Sequence, residues 1–332
     1  MKDGPARSVQ PFNHETVFVS GGAGFIGSHF VRRLLGEKSL RRIVVFDNFT
    51  SGKEAYLAPL RGDRRLEVVS GDLKKKEDVT AAMRGCALVI HLAANPDIAK
   101  AVEQPDIDFW EGTFLAQNVL EAMRVTGARR MLYTSGSGVY GENAAVAFTE
   151  SYGPCVPIST YGASKLACEA LIAAYCHMFG ITCRAFRFAN VVGPRQTHGV
   201  GYDFIRRLRS DPTRLRILGD GRQSKSYIHV DDILEAVLAA DRTGAVPFDL
   251  YNVATGDYIT VREIAEIAVG VCGLDPKSVR FEYTGGDRGW KGDVPVVRFD
   301  CAKIAAIGWR PGRTSVQAIR DSMASMLGEI SS

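Results

Sequence analysis

The chain has 332 residues, of which 46% are hydrophobic and 23% charged, and its formal net charge is +4. Those values exclude a disordered chain, leave ample apolar material for a large core, and give no electrostatic case for a nucleic-acid partner. Glycine is the outlier: 34 residues, about 10% against a usual figure near 7%.

The length predicts about two domains, or one with an elaborated lobe. No apolar run reaches the roughly 18 residues of a membrane span. Residues 1–14 are polar, carry Gly4, Pro5 and Pro11, and lack a signal-peptide core, so they read as a loose tail. Seven cysteines at irregular spacing, with no C-x-x-C, read as small buried thiols of a reducing cytoplasm rather than disulfides or a metal site.

Residues 16–20 predict a short buried strand. The cluster Gly21-Gly22-Ala23-Gly24-Phe25-Ile26-Gly27 follows it. Ile26, Phe30 and Leu34 then recur at i, i+4 spacing, flanked by Val31 and Leu35, which predicts an amphipathic helix. Gly21, Gly24 and Gly27 have G-x-x-G-x-x-G spacing between that strand and helix. Such a loop lets a pyrophosphate approach the backbone at a helix N-terminus.

Residues 43–46 predict the second strand, closed by Asp47, 20 residues after Gly27. A carboxylate there suits the adenosine ribose of a dinucleotide. A 2′-phosphate would meet its charge, and no arginine follows in Asn48-Phe49-Thr50-Ser51, so NAD is expected rather than NADP. Asp47 could also serve as a loop cap. Residues 66–69 predict a third strand. Asp72, just beyond it and before Leu73, fits either the adenine edge or plain turn chemistry. Lys74-Lys75-Lys76, followed at once by Glu77 and Asp78, reads as a solvated helix start.

Residues 87–90, 130–134 and 182–188 predict three more strands, with helical patterns at 113–125 and 161–179. The alternation predicts an α/β fold: a Rossmann-type, doubly wound parallel sheet. Regularity breaks down after Asn190, apart from helices near 231–240 and 261–271. The expected division is a dinucleotide-binding domain over 15–190 and a smaller, mixed substrate lobe over 191–332, with some of its segments returning to the first domain. There is no internal repeat or low-complexity linker.

Tyr161-Gly162-Ala163-Ser164-Lys165 sits at a predicted helix start, with Tyr161 and Lys165 on one face. An ammonium beside a phenol favours the phenolate, which equips the pair to move a proton on a sugar hydroxyl.

With these residues in place, the chain resembles the extended short-chain dehydrogenase/reductases, and among them the nucleotide-sugar epimerases and dehydratases of the UDP-glucose 4-epimerase kind. The resemblance spans residues 15–325. It rests on the glycine loop, Asp47, Gly71-Asp72-Leu73, His91-Leu92-Ala93-Ala94, Val139-Tyr140-Gly141 and the Tyr161–Lys165 motif. It continues through Arg187 to Arg195 and from Gly219-Asp220-Gly221 to Val230-Asp231-Asp232. It implies that Gly21, Gly24, Phe25, Ile26, Gly27, Asp47, Asn48, Asp72, Leu73 and Ala93 hold NAD together with Tyr161 and Lys165. Tyr161 would be the acid/base, Lys165 would hold the nicotinamide ribose, and Asn190 would contact the substrate diphosphate. His91 matches a sheet-packing position. A homodimer formed through two helices per subunit, in the cytoplasm, is also implied.

The pattern departs from the family at several places. Gly136 stands where a Ser or Thr is usual, and Ser137, Ser135, Thr134 or a water could supply the hydroxyl, with Ser137 favoured. The related 4,6-dehydratases carry an Asp-Glu pair where this chain has Ser137 and Gly138, and the UDP-glucuronate decarboxylases carry Glu at Gly138. Two arginines expected at the diphosphate align with Lys225, near Arg222, and with Trp290, flanked by Arg288 and Lys291. Asp293 looks structural. Val297 aligns with the residue that limits room beside the sugar 2-substituent, and is smaller than a tyrosine. The implied function is interconversion of UDP-glucose and UDP-galactose, or of their N-acetylhexosamine counterparts, through a 4-keto sugar. The alternatives are an epimerase or oxidoreductase of another nucleotide sugar, such as a UDP-uronic acid, and a non-catalytic NAD-binding protein.

Overall fold

A computed structural model describes residues 12–243, 246–289 and 292–331. Apolar β-branched runs make the strands, and their alternation sorts side chains onto two faces. The strands are β1 (Thr16–Ser20), β2 (Arg42–Asp47), β3 (Leu66–Ser70), β4 (Leu88–His91), β5 (Arg130–Gly136), β6 (Thr182–Phe188) and, from later in the chain, β11 (Phe248–Val253). They form one seven-stranded sheet in the order β11-β6-β5-β4-β1-β2-β3, and every pair is parallel. Val17, Val19, Ile43, Val45, Leu88 and Ile90 face one core with α1 (Phe25–Leu35) and α7 (Val230–Asp241). Phe18, Val44, Phe46 and Val89 face the other, with α3 (Lys76–Met83), α4 (Phe114–Thr126) and α5 (Thr160–Phe179). The fold is thus the expected doubly wound sheet. Its order reverses between β1 and β4, and the carboxyl ends beside that point are where such sheets hold ligands.

The remaining chain forms short strand pairs and helices around a third core. Short pairs β7 (Asn190–Val192) with β10 (Tyr227–His229), β8 (Arg214–Ile217) with β13 (Arg280–Tyr283), and β9 (Ser224–Lys225) with β12 (Ile259–Thr260) pack near α6 (Val200–Ser210), α8 (Val261–Val271) and α10 (Ser315–Ser331). Phe204, Leu215, Ile264 and Met323 share its core. Two short helices, α2 (Glu54–Leu57) and α9 (Ala302–Ala306), complete the α-helices among the described residues. α7 packs in the main core, and β11 pairs with β6 at the edge of the large sheet.

Residues 1–11 of the expected tail lie outside the described residues. At its end the expectation of a loose segment is corrected. Phe12 is buried in the main core, its carbonyl accepts from Ser39 Oγ at 2.7 Å, and His14 Nε2 meets Asp241 Oδ2 at 2.8 Å. All seven cysteines are free, and burial pushes the Cys86, Cys176 and Cys301 thiols up to about 11. Among the described residues no helix is long and apolar enough to cross a membrane, and no cluster of metal-ligating side chains occurs.

One buried polar network ties the sheet ends together. Arg187 on β6 donates to Glu169 on α5 through Nε (3.0 Å) and Nη2 (2.6 Å), and Ser135 Oγ on β5 donates to the same carboxylate at 2.6 Å. The guanidinium lies 4.6 Å from the Tyr140 ring centroid. The Tyr140 hydroxyl donates to Asn252 Oδ1 on β11 at 2.6 Å, and burial pushes that phenol up to about 12. Both ion-pair side chains are only 4% exposed. Breaking such a pair strands a buried charge. Glu169→Gln is expected to cost about 3 kcal/mol in urea unfolding with an unchanged m-value; a loss below about 1 kcal/mol would contradict the assignment.

Candidate active site

The glycine loop turns from β1 into α1. Gly21 has φ +70°, and a Cβ there would lie 2.9 Å from the Ala93 backbone nitrogen; a Cβ on Gly27 would collide with the Gly21 carbonyl. Gly24 caps α1 without a side-chain hydrogen bond, and no acid stands in the first turn. The helix therefore keeps free amide groups and an uncompensated positive end. A turn packed too tightly for side chains at Gly21 and Gly27, in front of open amides, fits a dinucleotide pyrophosphate.

Around the cradle, Phe25 and Ile26 pack partly buried on the main core, and the Leu73 side chain is buried in the opposite one. Asp47 is 7% exposed at the end of β2. Its Oδ2 accepts from Ala23 N at 2.9 Å and its Oδ1 from Phe49 N at 2.8 Å. It is therefore a loop cap, and each oxygen keeps a second lone pair for a ribose hydroxyl. Asn48 Oδ1 accepts from Thr50 N at 3.0 Å, and Asp72 Oδ1 from Lys74 N at 2.9 Å, so both also shape turns.

β5 carries the other half of the site. It ends at Gly136 and runs into a 3-10 turn, Ser137–Tyr140. α5 begins opposite, with the Ser159 side chain accepting from Gly162 N at 3.1 Å. The two segments touch through glycines: a Cβ on Gly138 would lie 3.4 Å from Gly162 Cα, and one on Gly162 would collide with the Gly138 carbonyl. This close approach sets Tyr161 against the strand end. Lys165, 6% exposed, donates from Nζ to Thr134 O at 2.8 Å. Its Nζ lies 5.6 Å from the Tyr161 ring centroid and 5.1 Å from that of Tyr133. The ammonium is thus fixed to β5 between two aromatic rings.

The hydroxyls around Gly136 separate cleanly. Ser135 is bonded to Glu169, and Thr134 Oγ1 donates to His91 O at 3.3 Å, so both are strand-end residues with structural bonds. Ser137 is half-buried and has no side-chain partner among the described residues. A Cβ on Gly136 would meet nothing within 4 Å. His91 is buried, hydrogen-bonded to Ser20 Oγ through Nδ1 at 2.6 Å and stacked on Tyr133. Burial, with the Lys165 charge, lowers its pKa to about 3, so it is a neutral packing group.

On the lobe side, Asn190 Nδ2 donates to Ser226 O at 3.2 Å. Lys225 is ion-paired to Asp293. Arg288 Nη2 holds Glu142 at 3.0 and 2.9 Å, and its Nη1 donates to Asp293 O at 3.2 Å. Arg222 is exposed, its backbone N–H donating to Asp220 Oδ1 at 2.9 Å. Both basic groups expected at a diphosphate thus already hold carboxylates. Sequence reasoning missed those partners because Glu142 and Asp293 lie 146 and 68 residues away. Val297, 6% exposed, packs in the main core. Trp290 and Lys291 lie outside the described residues.

The chain matches the NAD dependent epimerase/dehydratase family over residues 17–254. It is 31% identical to the UDP-glucose 4-epimerase of Mycolicibacterium smegmatis over 301 residues, 88% of this chain and 92% of that one. A crystal structure of a UDP-galactose 4-epimerase superposes with a TM-score of 0.82 at 38% identity, covering 95% of this chain and 99% of the other. The dTDP-glucose 4,6-dehydratase DesIV of Streptomyces venezuelae, solved with NAD, superposes at 0.85 with 28% identity, over 95% and 98% of the two chains. The cradle before α1 and the extent of these matches lead to one conclusion: the chain belongs to the NAD dependent epimerase/dehydratase family of extended short-chain dehydrogenase/reductases, and NAD is its cofactor.

Proposed function

We propose that the protein is a nucleotide-sugar 4-epimerase acting on a UDP-hexose, UDP-glucose and UDP-galactose or their N-acetyl counterparts. The observation that carries this reading is Lys165, buried and anchored to β5 beneath the Tyr161 ring at the end of the sheet. Gly21, Gly24 and Gly27 cradle the pyrophosphate of NAD, with Asp47 and Asp72 at its adenosine half. When bound, NAD supplies the acceptor and donor of hydride for the sugar C4.

The chain's own groups handle the proton and the orientation. The Tyr161 phenol takes the proton of the sugar 4-hydroxyl and gives it back after the sugar has turned. Lys165 keeps a positive charge at fixed distance, which stabilises the phenolate. Ser137, the nearby hydroxyl without a structural bond, bridges phenol and sugar in place of the residue missing at Gly136. Asn190 contacts the substrate diphosphate. Lys225, Arg222 and Arg288 supply its counter-charge, Lys225 and Arg288 by exchanging Asp293 and Glu142 for phosphate oxygens. Elimination of water calls for an added acid and base, and Ser137 and Gly138 supply neither, which favours epimerisation over dehydration. Val297 bears on the room beside the sugar 2-substituent.

A panel of UDP-, GDP- and dTDP-sugars with separation of C4 epimers tests the reading. Turnover of a UDP-hexose is expected, falling at least about 100-fold in Tyr161→Phe and about tenfold in Ser137→Ala. Gly136→Ser is expected to keep or raise turnover, because the space there is open. NAD binding without turnover of any sugar would favour the non-catalytic reading, and accumulation of NADH an oxidoreductase.

A homodimer through α4 and α5 completes the proposal. Phe109 and Trp110, 50% and 45% exposed, meet edge-to-face in the turn just before α4, with Phe114 next to Trp110. Exposed aromatic clusters of this kind favour burial against a partner. Light scattering is expected to give twice the chain mass of 36.1 kDa; a single chain mass would contradict it.

A further inference from the structure

Asp108 is 2% exposed, and no described cation pairs with it. Its carboxyl group accepts Asn95 Nδ2 at 2.9 Å through Oδ1 and Thr160 Oγ1 at 2.7 Å through Oδ2. Its own backbone carbonyl accepts Ser164 Oγ at 2.6 Å. Asn95 is held in turn by the backbone N–H and C=O of Asp97, so its orientation is set.

The two α5 residues that Asp108 grips are one turn apart, and each immediately precedes a member of the catalytic pair: Thr160 before Tyr161, Ser164 before Lys165. The chain after Asp108 forms a π-helical turn, Phe109–Thr113. Such turns are rare and concentrate at functional sites. This one begins and ends on the same serine, because Thr113 Oγ1 donates to Ser164 Oγ at 2.9 Å while Ser164 donates to Asp108 O. The carboxyl group also sits at the positive end of the 20-residue helix α5, where a negative charge is favoured without a cationic partner.

We infer that Asp108 is a positioning residue for the reaction: through Thr160 and Ser164 it fixes the rotation of the first turn of α5, and with it the placement of the Tyr161 phenol over Lys165. This rests on the reading of Tyr161 as the proton-transfer group. A core aspartate needed only for folding would change stability and leave the ratio of kcat to KM effects arbitrary. A positioning residue lowers kcat selectively, since small displacements of a reacting group are costly.

Thr160 is the place to test this, because it is exposed and its side chain can be changed without opening the core. Thr160→Val removes the bond to Asp108, Thr160→Ser restores it, and Tyr161→Phe reports on the reading of the site. Each is assayed as NAD-loaded enzyme on the UDP-sugar turned over best, with amide hydrogen exchange followed over residues 162–165. Thr160→Val is expected to lower kcat about tenfold with KM unchanged and to speed exchange in that segment, and Thr160→Ser to recover both. Parent kcat and exchange in Thr160→Val, a change in KM alone, or a loss that Thr160→Ser does not recover would overturn the inference. Full turnover by Tyr161→Phe would overturn the reading of the site instead, and the exchange comparison would still decide whether Asp108 holds the helix.

Discussion

The buried Glu169–Arg187 pair is the constraint around which the catalytic end of the sheet is built. It joins α5, which carries Tyr161 and Lys165, to β6, and through Ser135 to β5, whose Thr134 carbonyl holds Lys165. Two charges out of water are tolerable only with good geometry and further hydrogen bonds. Here Arg187 is bidentate on the carboxylate and lies against the Tyr140 ring, and Tyr140 is itself fixed by Asn252. The pair therefore ties α5 to both neighbouring strands, β5 and β6. Asp108 adds a second hold on the same helix from the opposite side, at its first turn. If Tyr161 moves the proton as proposed, its phenol needs a fixed position, and these two attachments would hold it on regular elements rather than on a loop.

The two halves of the site differ in how they are held. The cofactor side consists of backbone: a glycine turn, open helix amides, and Asp47 capping the loops around them. The lobe side carries long charged side chains that already hold carboxylates, Lys225 on Asp293 and Arg288 on Glu142. Glu142 directly follows Gly141, so the Arg288 bond spans from the lobe to the segment after the catalytic strand. Under the proposed function, the backbone half would hold NAD and the exchangeable lobe-side charges would meet the diphosphate.

Much of this was legible in the sequence where the determinants are local. The glycine spacing, Asp47 after an apolar strand, and the i, i+4 spacing of Tyr161 and Lys165 each follow from one element's period. β11 was not legible because Asp249 and Asn252 interrupt its apolar run. Asn252 is nonetheless fully buried, since Tyr140, 112 residues away, completes its hydrogen bonding. Asp108 was invisible for the same reason: its partners lie 13, 52 and 56 residues off. The tail reading failed at Phe12 because one aromatic in a polar segment carries no period, yet it fills a gap in the main core. Asp47 is the loop cap that its position allowed, and its carboxylate keeps lone pairs for a further donor.

The central claim is that the configuration at C4 is inverted by a hydrogen that leaves and returns within one closed site while Tyr161 handles only the hydroxyl proton. UDP-glucose carrying deuterium at C4, incubated with the protein in ordinary water and examined by mass spectrometry and proton NMR, tests it directly. The account predicts UDP-galactose that retains the deuterium at C4. Product with hydrogen from solvent at C4, or no C4 epimer at all, would contradict it.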